Sequence, residues 1–148
     1  TGLVLLYPRH TGLTADITVG ATMATLMFLN VWLIIWPNQK IIVESNQAVA
    51  AGGEANPDAA AAAPKAALAS RTNTLFSIPM LYFMGSSAHL PSGSMSGNMT
   101  AVLIALAIVA ALEANAIYGK QGPLTTVRGV IISGFVLTAV LVAILWLI

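Results

Sequence analysis

Apolar residues fill four stretches of this chain, and polar residues gather between them. The first uncharged run covers residues 17–36, long enough to cross a ~30 Å hydrocarbon core as a helix. Asp16 stands at its start, where a carboxylate can cap the first free N–H groups, and Pro37 follows as a stop signal. A shorter run covers residues 75–90, with Pro79 one turn inside it. A third covers residues 99–118 with one charge, Glu113, and a fourth covers 127–148 with Arg128 at its beginning. None of these runs has the charged face that a helix on a soluble core presents to water. An open-edged sheet cannot satisfy its backbone in lipid. The pattern therefore predicts an all-α fold: an integral membrane four-helix bundle over residues 17–148.

The connections differ in kind. Residues 37–74 hold Gly52-Gly53, Pro57, Pro64, Glu44, Glu54, Asp58 and an alanine run at 59–63. That composition predicts a flexible, water-exposed linker. Residues 91–98 and 119–126 are short and rich in turn formers, which makes the last three helices antiparallel neighbours. Residues 1–16 are read as an outer-side segment, since the apolar stretch 3–7 is too short to span. This segment is expected to be a processed start or the tail of an earlier helix.

Composition narrows the classes of function. Of 148 residues, 57% are hydrophobic and 7% charged, with a mean hydropathy of +0.85, against about 25% charged in a soluble domain. A cytosolic enzyme and a disordered chain are ruled out. A net charge of +1 without a clustered basic face gives no purchase to nucleic acid. The absence of cysteine removes disulfides, thiolate metal sites and the attachment motif of haem c. Lys40, Lys65 and Arg71 border the long linker, Lys120 and Arg128 border the last connection, and only Arg9 lies on the opposite side. By the positive-inside rule the first and third connections are cytoplasmic and both termini are outside. Trp32 and Trp36 then sit at the inner interface.

Polar groups inside the spans carry the candidate chemistry. Glu113 lies about 8 Å from the inner end of the third helix, and Arg71 and Arg128 begin helices on that side. The expected role is an ion pair of Glu113 with Arg71 or Arg128 that fixes helix order; the alternative is a proton- or electron-coupled role. Asn30, Asn73 and Asn115 occupy similar depth and can join one hydrogen-bonded layer. His10 and His89 both fall on the outer side. Two imidazoles can ligate a haem iron, but nothing in the sequence sets these two opposite each other. No cofactor or metal site is predicted, and a haem b on His89 is kept as the alternative. Met23, Met27, Met80 and Met84 read as packing. Gly20 with Ala24, Gly129 with Ser133, and Ala101, Ala105, Ala107, Ala110, Ala111 and Ala114 mark close helix contacts. They predict a central third helix and a fourth facing lipid or a partner.

Two stretches go beyond pattern: NVWLIIWPNQK at residues 30–40 and SRTNTLFSIPMLYFMGSSAHLP at residues 70–91. Together they resemble the membrane domain of the bacterial membrane-bound urate oxidases (urate hydroxylases). Members of that family carry an Asn-Val-x-x-x-Ile-x-Pro-x-Gln segment. One long loop later comes a Ser-Arg-x-Asn helix start with an internal Pro and a terminal His. The resemblance covers residues 17–148, corresponds to the second half of that membrane domain, and is without its cytochrome c domain. This chain has Thr18 where many members carry His, and Arg71-Thr72-Asn73 where many have Arg-His-Asn.

The resemblance implies a multi-pass protein of the bacterial inner membrane, linked in fused members to a periplasmic cytochrome c that accepts electrons from urate. The expected function is a non-catalytic structural or accessory subunit of a larger redox or energy-transducing complex. Asn30, Pro37, Asn38, Gln39, Arg71, Asn73, Glu113 and Arg128 form its cytoplasmic-side polar layer. The alternative is a urate-oxidising or quinone-linked electron-transfer subunit working with a separate cytochrome c, with His89 near the outer surface. The expected partners are membrane lipids, other membrane-protein subunits and a periplasmic cytochrome c, with no nucleic acid. A solute transporter is disfavoured because the spans lack breaks at mid-membrane.

Overall fold

Thr14 opens the first helix: its backbone is extended and its hydroxyl accepts the N–H of Ile17 at 3.1 Å. This is a computed structural model that describes residues 13–93 and 98–148. The rest of the outer-side segment, with Arg9 and His10, lies outside the described residues. Helix α1 is Ala15–Ala50, α2 is Ala59–His89, α3 is Met99–Tyr118 and α4 is Val127–Leu147, with a 3-10 turn at Gly122–Thr125 before α4. Among the described residues there is no strand. Helices α1, α3 and α4 are long and apolar enough to cross a membrane. The chain is an all-helical membrane protein.

Two expectations about α1 are corrected. Asp16 does not cap the helix; Thr14 does, and Asp16 is buried in the first turn. Pro37 does not stop it either. Proline lacks an N–H, and in an α-helix its ring collides with the carbonyl four residues back. Here residues Val31–Ile35 form one π turn, in which Trp36 N–H donates to Val31 O. The wider turn moves the opposing carbonyls aside, and the chain stays helical, with right-handed dihedrals at Asn30 and Trp36. Asn38 Nδ2 donates to Ile34 O at 2.7 Å, so a side-chain amide serves a carbonyl of the same turn.

The predicted flexible linker is mostly helix. Residues 36–50 extend α1, and α2 begins at Ala59 instead of residue 75. Alanine, Gln and Lys are strong helix formers, and packing of the two arms outweighs the exposed Pro64. Only residues 51–58 turn the chain. Gly52 takes φ +83° there, and Ser45 Oγ accepts Asn56 N–H at 3.0 Å across the turn. From the level of Asn30, α1 runs on for about 30 Å, whereas α3 continues past Glu113 for only about 8 Å. The α1–α2 hairpin therefore projects beyond the rest of the bundle and carries most of the charge. Lys40 and Glu44 form an exposed i,i+4 pair on it at 3.8 Å.

The central helix is α2, not α3. It packs on α1, α3 and α4, and contributes Leu75, Phe76 and Phe83 to a core completed by Val19, Met23, Val102, Val109, Leu137 and Leu141. A Cβ on Gly20 would sit 3.2 Å from Phe83 Cβ, and one on Gly134 would meet the Ile78 side chain. The bulky residues thus lie on the central helix and the gaps on its neighbours. Ala107, Ala110, Ala111 and Ala114 of α3 are exposed. Helix α2 carries Lys65, Arg71 and Asn73; Lys65 is exposed on the projecting part, whereas Arg71 and Asn73 are half-buried against the neighbouring helices.

Candidate functional site

Asn30, the last residue before the π turn, is 1% exposed and joins three helices. Its Nδ2 donates to Asn73 Oδ1 on α2 and to Glu113 Oε2 on α3, each at 3.0 Å. Asn73 Nδ2 in turn donates to Met27 O of α1 at 3.0 Å. Met27 O also accepts the N–H of Val31, so the Asn73 amide rests on the carbonyl where the helix begins to widen. One amide, Asn30, is donor to both partners. Its second hydrogen satisfies a carboxylate at membrane depth, where an unpaired charge costs several kcal/mol.

The expected ion pair is absent. Among the described residues Glu113 has no basic partner within 4.0 Å. Arg71 and Asn73 are two residues apart, about 200° around a helix, so they cannot face the same neighbour. Arg71 Nη1 donates to Gln121 Oε1 at 3.2 Å and to Leu124 O, and so ties the α3–α4 connection to α2. Arg128 is exposed in the first turn of α4. Asn115 does not join the layer: Nδ2 donates to Lys120 O at 3.3 Å, while Oδ1 accepts Lys120 N–H at 3.4 Å. Pro37 and Gln39 are exposed on α1, and Asn38 bonds within its own helix. Of the eight residues expected in the layer, the structure brings together Asn30, Asn73 and Glu113. His89 is exposed in the last turn of α2.

A second cluster, not anticipated as such, lies at the opposite end. Asp16 is fully buried. Its Oδ1 accepts from Ser86 Oγ at 2.7 Å, and its Oδ2 accepts from Ser92 N–H at 2.7 Å and from Ser92 Oγ. Ala15 N–H donates to Gly93 O at 3.0 Å beside it. The available signal was an acid opening one span while Ser86 and Ser92 close the next.

The two clusters are about 21 Å apart along α1. Between them lie Val19 and Met23 of α1 and Phe76, Pro79 and Phe83 of α2, none more than 1–2% exposed. The hydroxyls at this depth, Thr18, Thr22 and Thr25 of α1, donate to carbonyls of their own helix at 2.8–2.9 Å and stand outside this packed core. Among the described residues no three His, Cys, Asp or Glu side chains converge on a metal-sized site. A family model described as urate oxidase N-terminal matches residues 5–147. No curated protein and no solved structure matches the chain.

Proposed function

The chain belongs to the urate oxidase N-terminal family, and from that membership we propose that it is a non-catalytic structural or accessory component of a larger redox or energy-transducing complex in a bacterial inner membrane. The observation that carries this reading is the packed apolar core between Asp16 and Glu113: each carboxylate accepts from neutral donors, and Val19, Met23, Phe76 and Phe83 fill the space between them. Groups so arranged lock helices together. A proton or ion route would instead line its core with polar groups.

Uncovered faces support work alongside other membrane-protein subunits. Thr18, Ala21, Thr22 and Thr25 form one partly open stripe on α1, and Ala107, Ala110, Ala111 and Ala114 form another on α3. Small side chains let a second helix approach closely in lipid. In this reading a periplasmic cytochrome c accepts electrons from the assembly, and this chain holds no cofactor of its own.

The test is to purify the chain and assay it with urate and a cytochrome c. A colourless protein without urate-dependent cytochrome reduction is the expected result. In cells, Glu113→Gln keeps an acceptor for Asn30 and retains the complex, whereas Asn30→Leu depletes it. A Soret band lost on His89→Ala, or urate-dependent reduction abolished by Glu113→Gln, would replace this reading with a urate-oxidising or quinone-linked electron-transfer subunit.

A further inference from the structure

On the side of the projecting hairpin, a cleft of about 580 Å³ opens between α3 and α4, within the size range of small-molecule sites. Leu75 and Leu124 form its floor, Ile108 and Leu112 one wall, and Ile132, Val136 and Val140 the other. From Ile132 to Val140 it follows α4 for about 12 Å, most of the ~15 Å depth of one leaflet. Asn115, Lys120 and Gln121 line the end beside the α3–α4 connection, and Ser133 is the one other polar side chain in the lining. The cleft is thus apolar along the membrane normal and polar at the interface. That gradient matches an amphiphile lying in the bilayer.

We propose that this cleft holds one acyl chain of an anionic phospholipid, with the phosphate beside Lys120. Charge decides the head group. Lys120 lines the mouth, and Arg71 stands behind it, bonded to Gln121 and to Leu124 O, two other lining residues. Arg128 is exposed at the nearby start of α4. None of these three cations has a carboxylate partner among the described residues, and no acid lines the cleft. The acceptors of Arg71 Nη1 are neutral, so they leave its positive charge uncompensated. The alkyl chain covers Ile132, Val136 and Val140, which are 51%, 57% and 43% exposed in the chain alone. The placement on the cation-rich side fits a leaflet that carries anionic lipid.

Native mass spectrometry of the full chain in mild detergent tests this. Dioleoyl phosphatidylglycerol, dioleoyl phosphatidylcholine and ubiquinone are titrated separately. Phosphatidylglycerol is expected to bind in preference, and Lys120→Gln to weaken it about fivefold while leaving phosphatidylcholine unchanged. Val136→Trp, which fills the cleft from an exposed position, is expected to abolish the preference with an unchanged circular dichroism spectrum. Ile132→Trp serves as a second blocking variant. Equal retention of the two phospholipids, a preference that survives both blocking variants, or tighter binding of ubiquinone would each overturn the assignment.

Discussion

The carboxylate of Asp16 accepts the backbone N–H of Ser92 at 2.7 Å, across 76 positions of sequence. This bond ties the start of α1 to the segment that leaves α2, and the Ser86 hydroxyl adds a second tie from α2 itself. Hydrogen bonds to a charged acceptor contribute ~1.5–3 kcal/mol each, and they do not add fully when they share it. Asp16→Ala is expected to destabilise the bundle by about 3 kcal/mol and Ser86→Ala by about 1.5 kcal/mol. Thermal unfolding in detergent reads both. If Asp16→Ala melts with the parent, the cluster is not holding the helices.

Close approach of α1 to α2 rests on Gly20, and of α4 to α2 on Gly134. At Gly20 a new Cβ would meet the Phe83 Cβ at 3.2 Å with Met80 O at 3.6 Å, both close to rigid backbone. At Gly134 the nearest atom is the terminal Cδ1 of Ile78, which can rotate away, and the Ile78 Cβ stands at 3.3 Å behind it. Overpacking a tight contact costs about 1–3 kcal/mol. Gly20→Val should fall at the upper end and Gly134→Ala below 1 kcal/mol on the same scale. The reverse order in a denaturation series would contradict this account of the interface.

The π turn Val31–Ile35 ends two residues before Pro37. Deleting Leu33, an exposed residue of that turn, would shorten it to α geometry and drive the Pro37 ring against a carbonyl. The expected loss is about 3 kcal/mol. Pairing the deletion with Pro37→Ala should recover most of it, because the added N–H completes a regular helix. Circular dichroism melts of the two variants make the comparison. Equal melting of both would mean that tertiary packing, rather than proline, sets the wide turn.

Orientation can be read by thiol labelling, since the chain has no cysteine of its own. Glu54→Cys lies in the exposed turn between α1 and α2, and Leu90→Cys lies at the opposite end of α2. The positive-inside rule, applied to Lys40, Lys65, Arg71, Lys120 and Arg128, leads to the expectation that the hairpin faces inside. A membrane-impermeant maleimide should therefore label Leu90→Cys in intact cells, and Glu54→Cys only after permeabilisation. The opposite pattern would invert the topology.

Helical, membrane-embedded character was legible in the sequence because it depends on local composition: uncharged runs of span length need no partner to identify them. Of Asn30, Asn73 and Asn115, expected at one depth from the rise per residue, Asn30 and Asn73 meet, whereas Asn115 bonds Lys120 at the end of α3. Azimuth was not legible. Arg71 lies two residues from Asn73 and points to Gln121 and Leu124 instead of Glu113, a choice made by which helices pack on which face of α2. Proline and glycine misled at residues 37–74 because their usual effect is local, whereas a π turn and the pairing of two long helices absorb it. The eleven charges by themselves determined a membrane chain and its expected orientation. Only tertiary packing decided that α2 is central, that Asn30 replaces an arginine beside Glu113, and that Asp16 binds Ser86 and Ser92. Each of those outcomes depends on contacts between residues far apart in the chain, and sequence periodicity does not encode which neighbour a helix face will meet.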